Sequence, residues 1–287
     1  MTTLRPFRFG VVAAQAASAD AWLAQARHIE AAGYSTMVVP DGMRYTLAPL
    51  PALAAAAAAT RRLRVGTYVL ANDFRNPVLL AKDAATLDFL SNGRFELGVG
   101  AGRPAAEDDN RLLGIPFDSG ARRLARLADG LRAIKAAWAE GSEISPRPVQ
   151  QPRPPILLAG SGKQMLALAA QEADIVALGV APTATEAEIA DKVAVLREAA
   201  GPRFADLELN MNLMAVGEQV PRYVAMQYRL TAQALGEAGA ATALVGSVDQ
   251  MCETLIARRE RLGISYFVVG DELMDALAPV VQRLAGA

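Results

Sequence analysis

Residues 64–103 read RVGTYVLANDFRNPVLLAKDAATLDFLSNGRFELGVGAGR. The stretch predicts a strand over 65–70, a polar loop, a helix opened by Asn76-Pro77, a Ser91-Asn92-Gly93 turn, and a second strand over 95–99 that breaks on Gly100-Ala101-Gly102. That is a βαβ unit. Both strands are mostly apolar rather than alternating, which is the pattern of strands covered on both faces of a parallel sheet. The polar residues at their carboxyl ends are then expected to face whatever the protein binds.

The same pattern extends in both directions. Towards the amino terminus, an apolar run over 7–13 leads through Gln15 into a helix over 20–32, with Trp22, Ala26 and Ile29 on one face and Gly33 as its stop. A short strand over 35–39 ends on Pro40-Asp41-Gly42, and the alanine run 54–59 reads as a closely packed helix. Towards the carboxyl terminus, a loop over 103–118 precedes a helix carrying Leu124, Leu127, Leu131, Ile134 and Trp138 at helical spacing. A Pro- and Gln-rich linker over 140–155 interrupts the pattern without changing it. Strands follow over 156–159, 174–178, 207–216 and 264–269, with helical segments after each, including 222–237 and 248–262 and a last helix carrying Met274, Leu277, Val281 and Leu284. In the seventh strand Glu208, Asn210 and Asn212 alternate with Leu209, Met211 and Leu213.

Eight βα units without a composition break favour a single closed (β/α)8 TIM-barrel domain over residues 1–287, since a closed barrel leaves no edge strand to protect. A doubly wound open sheet is the alternative. Against it, the first strand-turn-helix lacks the GxGxxG fingerprint, because Gly10 is the only glycine before Gly33.

Composition limits the partners. The 287 residues are 52% hydrophobic, enough for a sizeable core, and 29 basic against 30 acidic residues give a net charge of −1. Such a balance argues against nucleic acid or an anionic membrane as the main partner. The single Cys252 excludes an internal disulfide. MTTLRPFRFGVVAA reads as a first strand rather than a secretory signal, and no run approaches the ~20 apolar residues of a membrane helix. The expected location is the cytoplasm.

A barrel site at the strand ends would draw on Gln15, on Asp41 with Arg44 and Tyr45, on the segment 68–75, on Arg103 to Asn110 with Glu107 among them, on Ser161 to Lys163, on Gly179 to Thr183, on Asn212 and Met214, and on Gly270-Asp271. The only histidine, His28, falls inside a helix, which argues against Ser-His-Asp and His-rich zinc chemistry. Gly160-Ser161-Gly162-Lys163 can bring backbone amides and a point charge to a phosphate, or be an ordinary βα turn. Glu107, Asp108 and Asp109 could serve acid/base work or a hard metal, or form a solvated helix start. Asp41 serves either as a turn cap or as a ligand contact. No metal is expected.

From Arg64 onward the chain resembles the bacterial luciferase-like flavin and deazaflavin oxidoreductases. The resemblance lies in the glycine-threonine strand, the Arg-x-Pro turn, the TLDFLSNGR helix end and the LGVGAG strand, and it continues through LGIPFDS, PPILLAGSGKQMLALAAQEADIV and GSVDQMCETLIARRERLGISYFVV. It implies a barrel that binds coenzyme F420, or alternatively FMN, at the strand ends. It also implies a cis peptide at Tyr68-Val69 within a bulge that backs the cofactor ring, phosphate contacts from Gly160, Ser161, Gly162 and Lys163, and an acidic contact from Asp41. Asn72 belongs to the same cofactor wall. A homodimer is the family's usual state.

Two departures stand out. Many relatives carry a histidine where this chain has Gly42, and the sugar-phosphate dehydrogenases of the deazaflavin branch carry a glutamate where it has Arg103. The acid/base candidates left are Asp41, Tyr68 and Asp109, with Tyr45 or a water as further proton donors. The expected activity is F420-dependent hydride transfer to or from a small organic substrate. The alternatives are an FMN-dependent luciferase-like monooxygenase and a flavin-binding barrel without turnover.

Overall fold

The computed structural model describes residues 4–44 and 46–287. In chain order its elements are β1 (Arg8–Val12), α1 (Ala19–Ala31), β2 (Thr36–Val39), α2 (Pro49–Ala59), β3 (Arg64–Thr67), β4 (Leu70–Ala71), α3 (Pro77–Leu90), β5 (Phe95–Gly100), α4 (Glu107–Leu113) and α5 (Gly120–Trp138). There follow β6 (Ile156–Gly160), α6 (Lys163–Glu172), β7 (Ile175–Leu178), α7 (Glu186–Ala200), β8 (Glu208–Leu213), β9 (Ala215–Val216), α8 (Ala232–Glu237), β10 (Ala243–Leu244), α9 (Val248–Leu262), β11 (Ile264–Gly270) and α10 (Met274–Leu284).

The main sheet runs β3-β2-β1-β11-β8-β7-β6-β5-β4, and β3 also pairs with β5, so the order closes on itself. With β3 and β4 as two halves of one strand, this is a (β/α)8 barrel of parallel strands. The chain divides into two compact units. One holds the residues up to Ala13 with His28–Met37 and Gly160–Ala287; the other holds Ala14–Arg27 and Val38–Ala159.

Local chemistry sets most helix ends. Asn76 caps α3 by accepting from the amides of Val78 (2.9 Å) and Leu79 (3.2 Å), with Pro77 in the first turn where its missing N–H costs nothing. Ser247 with Gln250 and Thr185 with Glu188 form capping boxes on α9 and α7, and Gly263 ends α9 in the left-handed region at φ 75°.

Each unit has its own core and its own buried charges. In the first, Phe7, Phe9 and Phe267 pack with ring centroids 6.1–6.3 Å apart. Arg8 binds Glu208 (2.6 Å) and Thr36 (3.0 Å) and lies 4.4 Å over the Tyr266 ring. In the second, Arg64 binds Glu96 (2.5 Å) and Gln150 (3.0 Å). Both ion pairs lie near the amino ends of their strands, which is the stability face of such a barrel. The linker over 140–155 is held by Asp88, a fully buried carboxylate that accepts from the amides of Val149 (2.7 Å) and Gln150 (2.9 Å).

The structure corrects three sequence-based expectations. The seventh strand does not run to residue 216. β8 stops at Leu213, the Met214 amide turns to the Thr242 carbonyl (2.7 Å), and β9 pairs in parallel with β10 in a sheet of its own. The helical segment expected over 222–237 is split into a π-helical turn, Val224–Tyr228, and the short α8, because Arg229 adopts a left-handed φ of 55°.

The third correction positions the site. The strand expected over 65–70 is broken into β3 and β4 by the bulge that the resemblance implies at Tyr68-Val69. Gly66 pairs with Glu96 and Leu70 with Val99, so three residues, Thr67, Tyr68 and Val69, face only two, Leu97 and Gly98. The Thr67 hydroxyl replaces the lost ladder, donating to the Gly98 carbonyl (2.7 Å) and accepting from the Gly98 amide (2.8 Å). A side chain at position 98 would overlap the Thr67 carbonyl oxygen, and one at position 100 would meet Val69 at 2.9 Å. Gly98→Ala is therefore expected to cost about 3 kcal/mol of unfolding free energy or more, as overpacking against rigid backbone does. Denaturant unfolding of the variant measures this, and a midpoint equal to that of the parent would contradict it.

Candidate functional site

The bulge opens directly into the strand-end residues of its unit. The Tyr68–Val69 peptide is cis, where the resemblance places it, and both side chains are partly exposed. The Tyr68 amide donates to the Val39 carbonyl of β2 (2.9 Å), and two residues beyond β2 stands Asp41. Its carboxylate is 5% exposed and accepts from both terminal nitrogens of Arg75 (2.5 and 3.1 Å) and from the Ala71 amide (3.0 Å). Asp41 thus fastens the loop that follows the bulge. Of the two roles left open for it, the structure shows the cap.

Asn72 turns its amide towards α5, where its Oδ1 lies 2.5 Å from the point a Cβ on Gly130 would occupy. With Arg75, Ile115, Pro116 and Arg126 these residues line a cleft of about 530 Å³. Arg126 joins Asp73 (3.0 and 2.7 Å) to Asp118 (2.5 Å). The hydrogen bond from Arg126 holds the Asp118 carboxyl below its ordinary range, and the two carboxylates, Asp73 first, raise the Arg126 guanidinium.

The loop after β2 also meets α4. Asp109 brings its Oδ2 within 3.5 Å of the point a Cβ on Gly42 would occupy, and Arg44 reaches Asp108 at 3.7 Å. Asp109 is half-buried, whereas Glu107 and Arg103 are exposed, Arg103 just before the 3-10 turn Pro104–Ala106. Gln15 is exposed three residues past β1. Tyr45 lies outside the described residues. In this unit the structure therefore gathers Asp41, Tyr68, Val69 and Asn72 around one loop, and Gly42, Arg44 and Asp109 around another.

In the other unit β6 delivers Gly160, whose carbonyl accepts from the Gly179 amide (2.9 Å), and Ser161, Gly162 and Lys163 stand in solvent. Gly162 is the N-cap of α6 at φ −73°, ψ 145°, with no side chain to cap the helix and nothing within 4 Å of a Cβ built on it. The first amides of α6 are thus open towards an anion. His28 pairs with Asp275 at 2.8 Å on the helical surface, and the Cys252 thiol is pushed up by burial.

Sequence reasoning passed over Thr67, and it included Arg75 in the segment 68–75 without giving it a role. Their roles depend on partners 31 and 34 residues away, and no local pattern reports those partners.

A sequence model of the luciferase-like monooxygenases matches residues 1–217. The chain belongs to that family. Among its luciferase-like relatives, an F420-dependent glucose-6-phosphate dehydrogenase of Beutenbergia cavernae is 35% identical over 164 residues, 50% of this chain and 48% of that one. The oxygenase component of a flavin-dependent trigonelline monooxygenase of Acinetobacter baylyi is 34% identical over 131 residues, 41% of this chain and 36% of that one. The matched stretches thus span half or less of these relatives. The F420-dependent tetrahydromethanopterin reductase of Methanopyrus kandleri superposes with a TM-score of 0.75 over 97% of this chain and 98% of its own at 17% identity, which shows the luciferase-like barrel fold.

Asp41→Asn keeps the shape of the side chain but leaves Arg75 without its charge partner. The change is expected to destabilise the protein by about 2–3 kcal/mol, since hydrogen bonds between charged groups carry that weight. Chemical denaturation measures it. Equal stability would show that the pair does not hold the loop.

Proposed function

We propose that the protein is an F420-dependent oxidoreductase that moves a hydride between the deazaflavin and a small organic substrate. The reading is carried by the glycine-capped amino terminus of α6, in a chain related to an F420-dependent dehydrogenase. The residues fit the cofactor. Gly160, Ser161, Gly162 and Lys163 would hold its phosphate through open amides and one cation. Tyr68 and Val69, with Asn72 beside them, would form the wall against its ring, over the surface that Gly98 and Gly100 leave free of side chains.

When bound, the ring supplies the carbon that gives or takes the hydride. The chain supplies orientation and a proton path. Asp109 and Tyr68 are the proposed proton carriers at the substrate heteroatom, Asp109 standing beside the glycine where many relatives have histidine. Asp41 is a positioning residue in this scheme. Gln15, Arg44, Tyr45, Arg103 and Glu107 would shape the approach of the substrate. A second reading, favoured by the likeness to the trigonelline monooxygenase, takes FMN as cofactor and oxygen as co-substrate; consumption of oxygen with reduced FMN would select it.

Titration with F420 and with FMN, followed by fluorescence quenching, tests the proposal, and binding of neither would sink it. A finer check is Gly162→Asp. The backbone there already has N-cap geometry and room for a side chain, so the substitution is expected to stabilise α6 by about 0.5–1 kcal/mol while weakening cofactor binding about tenfold by placing a carboxylate at the phosphate position. Added stability with unchanged affinity would remove the phosphate from this loop.

A further inference from the structure

The cleft of about 530 Å³ is walled by the 3-10 turn Asn72–Phe74, the loop over 115–118 and α5, and its volume falls in the range that holds small molecules. Tyr68, Val69 and Asp109 are not among its walls, so it is separate from the strand-end residues proposed to work on the cofactor ring. Each charged group on its walls already has an ionic partner. Arg75 holds Asp41, Arg126 joins Asp73 to Asp118, and Asp129 pairs with Arg132 on the same helix. An ion entering the cleft would have to compete with one of these pairs, whereas a neutral molecule would disturb none.

Asn72 is the polar side chain left over on these walls. It is half-buried, and among the described residues no hydrogen bond engages its carboxamide. Its Oδ1 lies 2.5 Å and its Nδ2 3.7 Å from the point a Cβ on Gly130 would occupy. The oxygen therefore rests on the bare helix, and the NH2 end stands further from it. Glycine is a poor residue inside a helix, and here its missing Cβ is the room that the carboxamide takes.

We infer that this cleft is a binding site for a neutral molecule that carries a carbonyl oxygen on an apolar body. The Asn72 Nδ2 group donates to the carbonyl, and Pro77, Ile115, Pro116 and Ala133 cover the body. The binding does not require the cofactor. An occupant would bear on Asn72 and Arg75, and through Arg75 on Asp41, so the site stands where it can act on the loop that follows the bulge.

Fluorine NMR line broadening, on the protein without F420, measures binding of three probes: para-fluoroacetophenone, which has both parts, fluorobenzene, which has only the body, and para-fluorobenzoate, which is charged. The ketone is expected to bind more tightly than the other two. Asn72→Ala should weaken the ketone about fivefold and leave fluorobenzene unchanged, as removal of one hydrogen bond would. Asn72→Asp, which puts an acceptor in place of the NH2, should weaken the ketone at least as much. Ala133→Phe fills the cleft from a half-buried position on α5 and should weaken the ketone and fluorobenzene alike. Circular dichroism checks that the variants fold, and Ala133→Leu replaces Ala133→Phe if that one does not. Failure of the native protein to bind the ketone, tighter binding of the benzoate, or unchanged ketone affinity in Asn72→Ala would overturn the inference. So would unchanged binding in the cleft-filling variant, since the probes would then sit elsewhere in the barrel. Failure of F420 to bind would count against the cofactor proposal, while these titrations still decide this one.

Discussion

The carbonyl oxygen of Thr67 occupies the space that a side chain at position 98 would need. Much of the site follows from that contact. Because β5 is bare at Gly98, the preceding strand can carry an extra residue, and because the Thr67 hydroxyl serves both polar groups of Gly98, the bulge leaves neither unpaired. The chain therefore leaves β3 at a different angle, sets Tyr68 and Val69 at the strand end, and re-enters the ladder as β4 opposite Val99. Asp41 fixes the next turn through Ala71 and Arg75. The placement of Tyr68 and Val69 at the strand end thus rests on two glycines, one hydroxyl and one ion pair.

The residues that make the family legible serve this scaffold rather than the chemistry. In the TLDFLSNGR run, Asp88 is fully buried and holds the amides of the linker after α5. Arg94 donates to the carbonyls of Ser91 (2.7 Å), Leu63 (2.6 Å) and Ala57 (2.8 Å), which closes the end of α2 onto the start of β3. Asn92 and Gly93 take positive φ to turn the chain between α3 and β5. In this signature several backbone groups depend on single side chains, so it bears on the fold more directly than on the reaction.

Helix limits were legible where a cap or a stop is written in the residues, as with Asn76-Pro77 before α3, or Ser247 and Gly263 at the two ends of α9. The apolar strands were legible for the same reason, since burial on both faces leaves a continuous run. The end of the seventh strand was not. Residues 207–213 alternate and the apolar run continues to Val216, yet the ladder ends at Leu213 because the Met214 amide finds its acceptor in Thr242, 28 residues further on. Nor was the break at Arg229 legible, since a left-handed arginine has no sequence signature.

The sequence by itself determined the repeating βα pattern, the family, the glycine loop at the start of α6 and the place of the bulge in the third strand. All of these are encoded by residues near one another in the chain. Tertiary structure alone decided what the candidate side chains do: that Asp41 is taken up by Arg75, that Asp109 stands beside Gly42, and that the Asn212 Oδ1 finds no hydrogen-bond partner among the described residues while Glu208 on the same face is neutralised. The physical reason is that hydrogen bonding and charge pairing depend on distance in space, and in a barrel the residues that meet come from strands far apart in sequence.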